Sequence, residues 1–133
     1  MRRRLIIALS LASFIAATSA GAAEDSHHKK GGGETFIEIR TLTATIIRAD
    51  GHRGVLTVEV GIDVPDSGLR ARADASTPRL QAAFVQVVQT YAAGLTPTSV
   101  PNADFLATAL QRQTDLVLGR PGAKLLMGTI LVN

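Results

Sequence analysis

The most constraining feature of this 133-residue chain is a run in which apolar and polar side chains alternate. From Val55 to Val64, every even-numbered residue is aliphatic, whereas Thr57, Glu59 and Asp63 lie between them. Strict alternation is typical of a β-strand with one face buried and the other exposed to water. The run therefore predicts a sheet that has a second layer on one side.

A first strand is predicted over Thr35–Ile47, which is rich in Thr, Ile and Leu. Its apolar residues change parity between Ile39 and Leu42. Because a shift of one residue swaps the two faces of a strand, we expect a bulge or bend near Arg40–Thr41. The Gly-containing segment Ala49–Gly54 predicts the turn that joins both strands into a hairpin.

Two helices are predicted after Pro65, which ends the second strand. Asp66 or Ser67 can cap a short helix that runs to about Ala75. Pro78 fits the first turn of a second helix, where its missing N–H costs nothing. That helix carries one apolar stripe at helical spacing, formed by Leu80, Ala83, Phe84, Val87, Val88 and Tyr91.

A third helix is predicted from its N-cap, Asn102, to Leu118, with Gly119 in a left-handed conformation after its last turn. Its predicted inner face consists of Phe105, Leu106, Ala109, Leu110, Leu116 and Val117. The chain ends in a predicted strand, Ala123–Val132, whose two faces are both apolar. Such a strand is expected to be buried on both sides.

One face of this last strand can pack on the helices. The other face has two explanations, namely cover by the bent first strand or contact with a second protein molecule. The order β-β-α-α-α-β predicts an α+β domain with a small antiparallel or mixed sheet and helices packed on one face.

The N-terminal segment has the three parts of a secretory signal. Arg2–Arg4 are positive, Leu5–Ala17 is apolar, and Ala20–Ala22 is a small-residue cleavage site. We predict a signal peptide over residues 1–22, a flexible linker over 23–33 and one domain over 34–133. The uncharged run to Ala23 nearly reaches the ~20 residues of a membrane span, so an uncleaved anchor is the alternative. Export by the Sec or twin-arginine route predicts a periplasmic location, or the inner membrane if the anchor is kept.

Composition excludes several classes of function. The arginines at positions 2–4 account for three of the 14 basic residues, so 11 basic residues remain against 11 acidic ones. A near-neutral domain lacks the basic excess of a nucleic-acid-binding protein. The chain has no cysteine, which excludes disulfides, thiolate metal sites and cysteine nucleophiles. With no Trp and a single Tyr, it also lacks an aromatic platform for stacking bases.

Several residue groups suggest chemistry, but each has a simpler explanation. His27-His28 stands in the glycine-rich linker without a third metal ligand. Asp50-Gly51-His52 fits a hairpin turn. Asp63 lies on the polar face of its strand, and Asp66 suits a helix start, so we do not interpret them as an acid/base pair.

Three serines, Ser67, Ser76 and Ser99, lack the G-x-S-x-G context of a nucleophile. Arg70, Arg72 and Arg79 are interpreted as a solvated face that pairs with Asp66 and Asp74. We therefore predict no catalytic, cofactor-binding or metal-binding residues, no cofactor and no small-molecule substrate.

Four segments resemble the periplasmic domain of the FliL family, the flagellar basal-body-associated proteins. Phe36–Ala44 and Leu56–Ile62 are similar to its two opening strands. Thr77–Leu80 resembles the proline-containing start of its long helix. Leu118–Gly122, followed by a strand to Asn133, resembles its ending. The similarity covers nearly all of the chain after the linker and rests on the strand pattern and a few placed residues.

The resemblance implies a stomatin-like ring-forming domain without enzymatic activity. It also implies self-association and contact with a membrane protein complex, namely components of the flagellar motor. Thr41 stands where the family commonly has proline, Met127-Gly128 where it has an aromatic residue, and a signal peptide replaces the usual transmembrane anchor. These differences indicate a divergent member. The alternative is a small secreted ligand-binding protein or enzyme unrelated to flagella.

Overall fold

The alternating run forms the central strand of the sheet in the computed structural model, which describes residues 33–133. The elements in chain order are β1 (Phe36–Glu38), β2 (Leu42–Ile47), β3 (Arg53–Asp63), α1 (Ser67–Ala75), α2 (Thr77–Ala93), α3 (Ala103–Leu118) and β4 (Lys124–Val132). The predicted signal peptide, His27-His28 and all of the predicted linker except Gly33 lie outside the described residues.

Strand β3 is paired along both of its edges, always antiparallel. β1 and β2 share one edge, with Phe36 opposite Asp63 and Leu42 opposite Val58. β4 occupies the other edge. The predicted bend near Arg40–Thr41 is confirmed, because residues 39–41 interrupt the first strand and divide it into β1 and β2.

Helices α2 and α3 cover one face of this sheet and α1 packs against both of them, so the predicted α+β architecture is confirmed. α2 packs against β2, and α3 packs against β4 and α2. The even-numbered residues of β3 that were predicted to face inward are buried, and so is Phe84 of α2. The largest fully buried side chains include Leu42, Leu56, Ile62, Leu69, Leu80, Phe84, Leu106 and Leu110. Burial of these aliphatic side chains supplies the main driving force for folding.

The helix ends follow the caps predicted from the sequence. The Asp66 carboxylate accepts a hydrogen bond from the Leu69 N–H at the start of α1, at 2.7 Å. The Asn102 amide oxygen accepts one from the Phe105 N–H at the start of α3, at 3.0 Å. Gly119 ends α3 with φ of 79°, a conformation that glycine adopts without steric cost.

The inner face predicted for α3 is wrong at two residues. Phe105 and Leu116 are 57% and 66% exposed. The side of α3 that is fully buried repeats every fourth residue and consists of Leu106, Leu110, Thr114 and Leu118. Thr114 occupies a core position because its hydroxyl donates a hydrogen bond to the Leu110 carbonyl, at 2.9 Å.

Within a single copy of residues 33–133, the last strand is buried on neither face completely. No residue of β4 is fully buried, and Leu126 and Leu131 are exposed on the side away from the helices. The bent first strand cannot cover β4, because β1 and β2 pair with the opposite edge of β3. Of the two explanations for the apolar outer face, burial under the first strand is therefore excluded.

The Asn102 cap gives a direct test of the third helix. Asn102→Ala is expected to lower the free energy of unfolding by about 1 kcal/mol, because the Phe105 N–H loses its acceptor. Chemical denaturation followed by circular dichroism measures the change. Asn102→Asp keeps an acceptor at the same position and is expected to retain wild-type stability within about 0.5 kcal/mol.

Candidate interaction surfaces

The face of the sheet opposite the helices is not covered by any described helix or loop, and we call it the open face. It consists of the odd-numbered residues of β3 and their cross-strand neighbours, because paired residues share a face. Four aliphatic side chains, Ile47, Val55, Leu126 and Leu131, are 48%, 43%, 38% and 50% exposed there. An apolar patch of this kind is typical of a surface that binds another protein.

A notch lies at one end of the open face, where the Phe36 ring rests on the backbone of β3. A Cβ atom at Gly61 would collide with that ring, so the close approach requires glycine. The notch encloses about 380 Å³. Its lining includes Phe36, Glu38, Thr41, Glu59, Gly61, Leu126 and Gly128.

A β-bulge in β4 forms one side of this notch. The register changes between the Val58–Ile130 pair and the Val60–Met127 pair, so two residues of β4 stand opposite Glu59. Gly128 is one of them, and a Cβ atom there would lie 3.1 Å from the Glu59 carbonyl oxygen. The bulge thus leaves a gap in the row of side chains beside Glu59.

The charges of the open face are separated along its length. Glu38 and Glu59 line the notch, whereas Arg53 lies at the opposite end of β3, paired with Ile47. Six residues of a strand span about 20 Å, which separates Arg53 from Glu59. Within residues 33–133, none of these three side chains belongs to an ion pair. Asp63 and Lys124, which pair across the strands at the notch end, offset each other in charge. The face therefore carries a net negative end, from Glu38 and Glu59, and a positive end at Arg53.

The outer edge of β4 is partly capped. The Leu125 N–H donates a hydrogen bond to the Gln111 side-chain oxygen at 2.7 Å, and the Gln111 side-chain nitrogen donates to the Ala123 carbonyl. Val55 and Asn133 exchange two backbone hydrogen bonds. Because such pairs alternate along an antiparallel ladder, the N–H and C=O of the preceding residue, Val132, point away from β3. Gln111 therefore blocks the start of the edge, while no group among residues 33–133 caps its end.

An apolar groove of about 740 Å³ lies between α2 and α3, in the helical layer. The rings of Tyr91 and Phe105 stack there with centroids 5.5 Å apart. The Tyr91 hydroxyl oxygen accepts a hydrogen bond from the Asn102 N–H. Sequence reasoning missed this groove, although Val87 and Tyr91 belong to the predicted apolar stripe and are only half-buried.

The acidic residues considered as a catalytic pair have separate structural partners. The Asp63 carboxylate accepts a hydrogen bond from the Thr35 hydroxyl. Asp66 caps α1 and forms an ion pair with Arg120 at 2.8 Å. In the hairpin turn, the Asp50 carboxylate accepts hydrogen bonds from the His52 N–H and from Arg48. Each carboxylate thus holds a turn, a strand end or a helix end.

The expected pairing of the α1 arginines with Asp66 and Asp74 does not occur. Arg70 donates hydrogen bonds to the carbonyls of Val64 and Pro65. Arg72 donates to the Leu118 carbonyl at the end of α3, at 3.0 Å. Both side chains satisfy backbone acceptors instead, because those carbonyls end secondary-structure elements and lack a partner within them.

Three further findings concern the described part of the chain. No group of three or more His, Cys, Asp or Glu residues in it is arranged to hold a metal ion. None of its helices combines the length and the hydrophobicity that crossing a bilayer requires. Of the three serines, Ser76 is buried at the junction of α1 and α2, and Ser99 contacts Thr96 in the following loop.

The Asp66 cap predicts a dependence of stability on pH. The Leu69 N–H and then Arg120 lower the pKa of Asp66 in the folded state. A lowered pKa stabilises the fold above the unfolded-state pKa of about 4, and this contribution is lost as the pH falls through the folded-state value. Asp66→Asn keeps the cap without the charge. We expect its thermal midpoint to lie below that of the wild type at pH 7 and to converge with it as the pH falls below the folded-state pKa of Asp66, as calorimetry can measure.

Known proteins give no evidence on the function of this chain, so the open face is the main evidence for it. No protein-family model matches the chain, and no curated protein sequence is detectably similar to it. The FliL resemblance therefore rests on the order of elements and the placed residues alone.

Proposed function

We propose that this protein is a non-enzymatic, FliL-like scaffold of the periplasm that self-associates and contacts a membrane protein complex such as the flagellar motor. The open face carries this proposal, because it exposes Ile47, Val55 and Leu131 on a rigid sheet. Exposed aliphatic residues on regular strands suit contact with another protein.

The chemistry of the acidic residues supports a binding role over catalysis. Asp50, Asp63 and Asp66 each have a structural hydrogen-bond partner, and the pKa values of Asp50 and Asp66 are lowered. A carboxylate that stays ionised at neutral pH is a poor general acid. The order of the elements also agrees with the order that the FliL resemblance implies.

The flagellar assignment is tested by deleting the gene and measuring swimming speed. We expect reduced swimming that returns when the wild-type gene is restored. Unchanged swimming in the deletion strain would remove the flagellar role and leave the binding role intact. N-terminal sequencing of the exported protein, with a start near Ala23 expected, separates a cleaved signal peptide from an anchor.

The groove between α2 and α3 favours a second candidate function, the binding of an apolar small molecule. Among residues 33–133, no charged side chain lines the groove, and its polar groups are mainly amides and hydroxyls, including Gln86, Thr90 and Gln113. A volume of about 740 Å³ is in the range of small-molecule sites. Titration with a fluorescent fatty acid tests it, and Ala83→Trp, which fills the groove, is expected to abolish the binding.

A further inference from the structure

The open face is self-complementary in shape. Val55 and Ile47 project at one end, and the notch with Phe36 and Gly61 lies at the other. Two copies can face each other across a two-fold axis that lies between the sheets and runs across the strands at Thr57. This axis brings the projecting end of each copy over the notch of the other. Sheets that pack face to face in this way lie about 10 Å apart, with their side chains interdigitated.

The face is also self-complementary in charge. The same axis places Arg53 of one copy over the row that contains Glu38 and Gly61 in the other, with Glu59 beside it. The contact occurs twice, because the interface is isologous. None of these side chains has an ion-pair partner within residues 33–133. A second copy supplies opposite charge at both ends of the face.

We propose that two copies of this chain pack through their open faces, with Val55 in the notch of the partner and Arg53 against Glu38 and Glu59. This proposal rests on the proposed function, because it names the surface and the partner of the self-association. The occupant is a second copy because one face carries both the projections and the notch, and both signs of charge.

The size of the open face sets the expected affinity. Three strands about 4.8 Å apart and about 36 Å long form a sheet of roughly 500 Å². Two such faces bury roughly 1,000 Å², which is the lower limit for a specific interface. We therefore expect a dimer that dissociates on dilution, with a Kd in the micromolar range or weaker.

Charge reversal tests the contact. Arg53→Glu places like charges together at both ends of the interface, and so does the double variant Glu38→Arg/Glu59→Arg. Each variant alone is expected to raise the Kd of dimerisation at least about tenfold, as sedimentation velocity of the purified protein can measure. Arg79→Glu, an exposed reversal on α2, is the matched control and is expected to leave the Kd unchanged.

Mixing the two charge-reversed proteins gives the decisive result. In a mixed dimer, the glutamate introduced at position 53 of one copy faces the introduced arginines of the other. At the opposite end, the native Arg53 of the second copy faces the native glutamates of the first. The mixture is therefore expected to recover a Kd close to that of the wild type. Far-UV circular dichroism and the thermal midpoint confirm that each variant is folded.

Three results would overturn the proposal. The first is that the wild type stays monomeric up to about 1 mM, far above the micromolar range expected for an interface of this size. The second is that the wild type dimerises and both charge-reversed variants keep the wild-type Kd. That result supports self-association and excludes this surface. The third is that both variants are monomeric and their mixture does not recover a Kd of dimerisation close to that of the wild type. Loss of the flagellar assignment in the swimming assay leaves all these measurements unaffected.

Discussion

Phe84→Ala is expected to lower the free energy of unfolding by about 3–5 kcal/mol. The Phe84 ring is fully buried between α2 and the sheet, so its removal loses apolar contact and leaves a cavity. Neighbouring buried side chains such as Leu80 and Val88 lie one turn away on the same helix and cannot fill the space without distorting it. Urea denaturation followed by circular dichroism measures the effect.

Phe105→Ala is the matched control for this substitution. Phe105 has the same side chain in the same helical layer, but it is more than half exposed and stacks only on Tyr91. Its removal is expected to cost about 1 kcal/mol. Equal losses for Phe84→Ala and Phe105→Ala would contradict the packing of α2 on the sheet.

Leu110→Ala is expected to cost about 2–5 kcal/mol, whereas Leu116→Ala is expected to change stability by less than about 0.5 kcal/mol. Leu110 is fully buried under α3, and Leu116 points to solvent on the same helix. The pair is informative because the sequence pattern predicted both residues on the inner face. Denaturation of the two single variants under the same conditions decides which side of α3 faces the sheet.

A large loss for Leu116→Ala and a small one for Leu110→Ala would show that α3 is rotated about its axis. That result would also displace Thr114, whose hydroxyl is bonded within the helix and buried. Thr114→Val offers a check, because it removes the hydrogen bond to the Leu110 carbonyl and is expected to cost about 1 kcal/mol.

The elements with strong local signals could be predicted from the sequence. The alternation in β3, the change of parity before β2, and the Asp66 and Asn102 caps each depend on the residues themselves and their neighbours. α3 was harder, because apolar residues occur on more than half of its circumference and its buried threonine interrupts the pattern. Which side of such a helix is buried depends on how it crosses the sheet, and local spacing does not contain that information.

The environment of β4 could not be predicted for a related reason. Its composition shows that both faces are apolar, but the chain order does not show which edge of β3 each strand takes. Because β1 and β2 occupy one edge, β4 lies alone on the other with Leu126 and Leu131 uncovered. The notch likewise depends on Gly61 and Gly128 standing on different strands, which only the register brings together.

Together these features define a sheet whose helical side is buried in the core and whose open face is not covered by any element within residues 33–133. The groove between α2 and α3 is the competing surface, because it encloses a larger volume than the notch and is also apolar. The two surfaces lie on opposite sides of the sheet. A measurement that locates the contact therefore distinguishes a protein-binding sheet from a ligand-binding helical layer.

The most direct test is the change of amide and methyl NMR signals as the concentration of the purified protein is raised. If the open face mediates self-association, the signals of Arg53, Val55, Thr57 and Leu131 shift with concentration, and those of Val87 and Phe105 stay constant. Constant signals on the sheet, or shifts confined to the groove between α2 and α3, would contradict the assignment of the open face as the binding surface.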